Sequence, residues 1–154
     1  MTRFLARVEQ ASDADAERVS PNGGWSVAGI AWHVAVTNEH FAALVDGSVP
    51  LATAPEADFS ETPFSEITAL VPDKLEAPEI FHPPEGVTRA EALARAHASQ
   101  VRLARALREM PESRGLWSVN SILGQVSVYQ VGDWATAHVA RHNAQAKRLI
   151  YNSQ

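Results

Sequence analysis

The chain has 154 residues, enough for one domain with a sizeable core, and its 45% apolar and 20% charged residues exclude disorder along its whole length. It has no cysteine, which removes disulfides, a thiolate nucleophile, iron–sulfur clusters and Cys-built zinc fingers. Acidic residues number 18 and basic residues 13, so the formal charge of −5 argues against a nucleic-acid partner, and no apolar run approaches the roughly 18 residues that span a membrane.

The first nine residues, Met1 to Glu9, lack the apolar stretch of a signal peptide, and the expected location is cytoplasmic. Residues 2–19 carry Phe4, Leu5, Val8 and Val19 and read as a first helix, with a break near Ser12, where Asp15 three residues on fits a new turn. Ser20 to Gly24 is a loop by composition. Ser26 is an N-cap, flanked by Trp25 and Ile30 at the two positions of a hydrophobic staple. Helix two is expected from about Val27 to Val45, with Ile30, Val34, Phe41 and Leu44 at helical spacing, ended by Asp46 to Pro50.

Seven of the nine prolines fall in residues 47–87, read as one long connection with a short helix at about Phe64–Leu70. Thr88 and Glu91 form a capping box that opens helix three, about Arg89–Met110. Leu93, His97, Val101, Ala104 and Leu107 mark its expected inner face, which leaves Arg89, Arg95, Arg102, Arg105 and Arg108 mostly on the wet side. Pro111 to Gly124 is a second connection. Ser127 and Gln130 give a third capping box before helix four, about Val128–Asn152. The expected fold is all-α, a single-domain four-helix bundle.

Six histidines are present: His33, His40, His82, His97, His138 and His142. A separation of four places His138 and His142 on one helix face, with Cβ atoms about 5–6 Å apart, so both can reach one metal at about 2.0–2.1 Å. Taken alone, this spacing is equally well a coincidence of surface or core. Val139 follows His138, so the glutamate of a His-Glu-x-x-His metalloprotease is missing. His33, between Ile30 and Val34, lies on the apolar stripe of helix two. It is either a hydrogen-bonded core residue or a third nitrogen ligand facing the pair. His40 shares that stripe about 10 Å further along and can line a pocket. His97 is an outer-sphere group, a pocket wall or, preferably, a core residue. His82 is a loop residue, and Trp134 is core rather than a cofactor platform.

At these residues the chain resembles the DinB-like (DinB/YfiT) superfamily. Trp25-Ser26-Val27-Ala28, with His33 eight residues after the tryptophan, is similar to that family's helix-two signature. Its helix-four signature, His-x-x-x-His-x-x-Gln, matches His138, His142 and Gln145, and Gly124 fits the approach to that helix. The resemblance runs in order along the whole chain. It implies a four-helix bundle with a long crossover connection, often a homodimer, and a divalent metal ion (Zn, Ni, Fe or Mn) held by His33, His138 and His142. Members with assigned activities include bacillithiol transferases and a mycothiol-dependent maleylpyruvate isomerase. The chain departs from the pattern at Gly29, where related sequences often carry a longer polar residue, and residues 47–87 are not matched residue by residue.

The function expected is that of a divalent-metal-dependent enzyme acting on a small-molecule substrate, with a low-molecular-weight thiol as the favoured partner and thiol-dependent transfer as the favoured reaction. A metal-dependent hydrolase and a non-catalytic metal- or ligand-binding bundle are the alternatives. Three neutral nitrogens also suit copper, so the ligand set does not choose the metal. Glu39 and Asp133 are near in sequence, but helical phase turns each more than about 100° from its neighbouring ligand, and neither is assigned as a base.

Overall fold

Capping side chains start the helices close to where the sequence places them. In the computed structural model, which describes residues 1–19, 23–70, 75–121 and 124–151, α1 covers Thr2–Gln10 and α2 covers Asp13–Glu17. The break falls at Ser12, whose hydroxyl oxygen accepts from the Asp15 N–H and starts α2. Residues 20–22 of the expected loop lie outside the described residues.

Helix α3 covers Val27–Asp46. The Ser26 hydroxyl accepts from the Gly29 N–H at 3.0 Å, and Gly47, at φ +80°, ends the helix in the left-handed conformation that a side chain would resist. The connection that follows is not structureless. Thr53 exchanges two main-chain hydrogen bonds with Ser118, and α4, Phe64–Leu70, buries Ile67 completely. A single 3₁₀ turn at Glu79–Phe81 precedes α5, Arg89–Glu109, which opens on the expected Thr88–Glu91 capping box. One turn of helix, α6, covers Glu112–Gly115.

The expected helical fold holds in its coarse form, with one small sheet that the all-α reading did not include. Residues 118–121 and 124–127 form an antiparallel pair, β1 and β2, with Val119 opposite Val126. Four-residue strands rich in Ser, Asn, Gln and Gly carry little β signal, and the nearby capping pattern suggested a helix instead. The third capping box is half formed. Ser127 Oγ does accept from the Gln130 N–H at 3.1 Å, but the Gln130 side chain donates to the Thr62 carbonyl at 2.5 Å rather than turning back. The result is a turn over 128–130, and helix α7 starts at Val131 and runs to Tyr151. Asn152, the expected end, lies outside the described residues.

The inner face of α5 is corrected. Ala92, Ala96, Ser99, Leu103 and Ala106 are buried, Leu93 and Leu107 sit at the boundary, and His97, Val101 and Ala104 are exposed. The buried stripe is made of small residues, so its bulkier neighbours dominated the sequence pattern.

The structure is mostly helical, with one small sheet. Helix α3 packs against α5 and α7, and α1 also packs against α5 and α7. Among the described residues, two large apolar clusters and a small third one, Leu5, Ala35 and Ala96, fill the interior. One large cluster gathers Phe4, Val8, Val27, Ile30 and Val34; the other gathers Leu44, Val45, Ile67, Val128 and Trp134, which confirms Trp134 as core. Between these clusters, α3 and α7 face each other through histidines. Among the described residues, no helix is long and apolar enough to cross a membrane.

Candidate metal centre

The Ser26 cap fixes the start of α3 and hence the phase of His33, which lies two turns along the helix. His33 is 5% exposed and His142 8% exposed, while His138 is partly buried. One ring nitrogen from each lies within 4.8 Å of the other two, and His33 Nε2 is 3.0 Å from His138 Nε2. The ring centroids are 4.4 to 5.0 Å apart. The three histidines singled out in the sequence therefore converge on one point between α3 and α7.

The outer ring nitrogens decide which atoms face that point. His33 Nδ1–H donates to the Phe81 carbonyl at 2.9 Å. A carbonyl only accepts, so the proton belongs to Nδ1 and the lone pair of Nε2 points inward. On α7, His142 Nδ1–H donates to Gln145 Oε1, also at 2.9 Å, with the same consequence. Such outer partners fix the tautomer of metal-binding histidines. His138 differs: its Nδ1 is buried and has no partner among the described residues. Its proton is consequently the adjustable one. On Nε2 it is shared with His33 Nε2; on Nδ1 it leaves a third inward lone pair.

Electrostatics favour the neutral rings. Burial lowers the pKa of His33, and the nearby charge of His82 adds to this, while the bond to Phe81 opposes it. Burial pushes His138 well below the usual histidine range, helped by His142, His33 and Arg141. His142 is lowered to about 4, again mainly by burial and then by His33, against the raising effect of Gln145. Neutral imidazole is the form that binds metal. Three converging neutral nitrogens, two of them with fixed tautomers, fit a divalent cation.

A strap from the long connection closes one side. The Trp25 ring lies 4.7 Å from that of His33, the His82 ring 5.4 Å from Trp25, and Phe81 meets both His33 and His40 edge-on. Gly29 allows this approach, because a Cβ there would lie 3.3 Å from Pro83 Cγ and 3.1 Å from the Trp25 Cβ. Pro83 thus occupies the space a longer residue at 29 would take.

The remaining sequence candidates fall elsewhere. His40 is half-buried against Phe81, with its pKa lowered by burial. His82 is an exposed loop residue, as expected, whose Nε2–H donates to the Ala77 carbonyl at 2.8 Å. His97, expected in the core, is instead on the surface, with Nε2 2.8 Å from Glu9 Oε1. Glu39 is held by Arg95 through two contacts, at 2.7 and 2.9 Å, and neither it nor Asp133 joins the histidine cluster. The group missed by the sequence reading is the Phe81 carbonyl. It is main chain delivered by a distant segment, so no residue type announced it; Gly29, in the first turn of α3, was the one available hint.

A mostly helical chain with a three-histidine cluster between two helices is the class that fold and site define. The chain belongs to the DinB superfamily, whose family model matches residues 1–146. No curated protein and no solved structure matches it.

Proposed function

We propose that the chain is a divalent-metal-dependent enzyme acting on a small molecule, with His33, His138 and His142 as the metal ligands. The observation that carries this reading is the convergence of three neutral imidazoles whose outer nitrogens, on His33 and His142, are fixed by Phe81 and Gln145. The mutual packing of α1, α5, α3 and α7 supports reading the helical frame as a four-helix bundle, with residues 47–87 as its crossover.

When bound, a divalent ion supplies Lewis acidity that favours a thiolate over a thiol or a hydroxide over water. Among the described residues no carboxylate joins the cluster, so a bound cation's charge would be uncompensated there and would favour an anionic ligand beside it. With no cysteine in the chain, sulfur chemistry requires an external thiol. A low-molecular-weight thiol transferred to an electrophilic acceptor is the reaction that these two features favour. Trp25 and Phe81 shield the His33 side from water, which strengthens electrostatic effects inside the site. Nucleic acid is not the proposed partner. Of the five arginines of α5, Arg89, Arg95, Arg102 and Arg105 each meet a carboxylate, from Asp13, Glu39, Asp46 and Glu109, so most of the row is neutralised in place.

The test is to purify the protein without a histidine tag, measure its metal content, and load the stripped protein with Zn, Ni, Fe or Mn in turn. Small thiols are then offered with an electrophilic acceptor. Metal-dependent thiol consumption that disappears in His142→Ala supports the proposal. Metal-dependent ester hydrolysis without thiol moves the assignment to a hydrolase, and absence of both activities leaves a metal- or ligand-binding bundle.

A further inference from the structure

We infer that residues 77–83 are a flap that opens and closes as one body over the histidine cluster, and that Phe81 is the positioning residue through which its closing sets His33. The flap's part in ligation rests on the metal reading; its motion does not.

The segment is bonded mainly to itself. Phe81 N–H donates to the Pro78 carbonyl and His82 N–H to the Glu79 carbonyl, both at 2.9 Å, and His82 Nε2–H reaches back to the Ala77 carbonyl at 2.8 Å. Much less ties it to the rest of the fold. None of its residues is buried, and Ile80 is 74% exposed. Among the described residues, its one hydrogen bond to the helices is the one that His33 Nδ1–H donates to Phe81. The other contacts are ring edges and a proline: Phe81 on His33 and His40, His82 on Trp25, and Pro83 over Gly29. A unit bonded inwardly, with little buried apolar area and a single tether, belongs to the part of a protein that opens locally. Beyond it, Pro84, Glu85 and Gly86 are exposed, and the chain is anchored again at buried Val87. Gly86, at φ +70° with open space around it, is free to act as the hinge.

Closing does two things at once. It lays Phe81 over one side of His33, and it gives His33 Nδ1–H its acceptor. Opening undoes both. That side of the ring then meets water, and the proton loses the carbonyl that keeps it on Nδ1. By exchange with water the proton can pass to Nε2, where it occupies the lone pair that faces His138 and His142. Shielding and readiness are therefore linked: the inward nitrogen of His33 is held free only while the flap covers the ring. A fixed loop with the same contacts would hold one tautomer permanently and would shield the ring at all times.

The experiment uses the full chain stripped of metal by chelation, so it reads the flap whether or not the histidines are ligands. NMR first reads the His33 ring nitrogens, which should show the Nδ1–H tautomer. Exchange of that proton with water is then followed at rising, sub-denaturing urea, beside the backbone amides of buried Val34 and Thr37 on the same helix. Unfolding exposes much surface, so exchange that depends on it climbs steeply with urea, whereas a flap exposes little. The Nδ1 proton should stay nearly flat while the two amides climb. Phe81→Ala keeps the carbonyl but removes the ring contacts, and should speed the Nδ1 proton about tenfold without urea. Gly29→Ala presses on Pro83 from the helix side and should speed the same proton even if Phe81→Ala fails to fold. An Nε2–H tautomer in the unaltered protein, an Nδ1 rate that climbs with urea in step with the amides, or a rate unchanged in either folded variant would each overturn the inference.

Discussion

Helices α3 and α5 are nearly the same length, 20 and 21 residues, and pack against each other, yet they use sequence in opposite ways. Fourteen residues of α3 are buried against five of α5. Helix α3 is enclosed on nearly every side, so its apolar residues surround it and any polar residue on it is exceptional. Each of its buried polar groups then calls for an explanation: His33 meets the other histidines, Thr37 donates to the His33 carbonyl at 2.9 Å, and Asn38 keeps its Oδ1 buried with no partner among the described residues. Helix α5 has a wet face, where charge is the default and where Arg89, Arg102 and Arg105 make ion pairs with a side chain at least partly exposed. A polar residue therefore carries functional information in proportion to how much solvent its helix has lost.

The comparison breaks first at His33. Replacing it with alanine removes one of three proposed ligands. Structural zinc sites with four ligands bind with about 10–16 kcal/mol, so the loss of one should cost about 3–4 kcal/mol, a factor of a few hundred in affinity. Competition against a chromogenic chelator measures this. Unchanged affinity would remove His33 from the site.

The second test is acid. His142 has a folded pKa of about 4, below the ordinary 6.5, so the folded protein takes up its proton later than the unfolded chain does. The stability of metal-free protein should then be at its full value above about pH 6.5 and fall as the pH drops toward 4. His142 alone contributes about 3 kcal/mol to that fall, and the depressed pKa values of His33 and His138 act with the same sign. Urea unfolding at several pH values reads the slope, and His142→Gln should flatten it. A stability that stays level from pH 7 to pH 5 would mean that these rings are not buried in neutral form.

Gln145 offers a smaller and sharper effect. Gln145→Leu removes the acceptor of His142 Nδ1 but leaves all three proposed ligands in place. Metal affinity should fall by about 10- to 100-fold, as is usual when an outer partner is lost, while urea unfolding of the metal-free protein changes little. A matching loss of metal-free stability would reduce Gln145 to a structural residue.

The same contrast explains what could be read in advance. Helix α3 was legible at both ends, because Ser26 and Gly47 are strong boundary signals, and the pair His138 and His142 was legible because four residues return to the same helix face. The buried face of α5 was misread because it is built from Ala92, Ala96, Ser99 and Ala106. Small residues let helices approach closely, but they add little to a hydrophobic pattern, so Val101 and His97 outweighed them. The hairpin was missed because its four-residue strands are polar. The strap over His33 was not legible, because it depends on a main-chain carbonyl 48 residues away in the sequence.

The weakest expected effect lies on α5 and tests that misreading directly. Helical periodicity places Val101 inward, whereas the structure leaves it 69% exposed. If the periodic reading were right, Val101→Gln would bury an unpaired amide and destabilise the fold by about 1–3 kcal/mol. With the side chain in water, little apolar contact is lost, and glutamine is at least as good a helix former as valine. The change in unfolding free energy should stay within about 0.5 kcal/mol of zero. Val34→Gln on α3 is the control. Val34 is fully buried in the cluster with Ile30 and Phe4, and the same change there should be strongly destabilising. Equal costs at the two positions would show that α5 is rotated from the orientation described, with Val101 turned toward the core in place of Ser99 and Leu103.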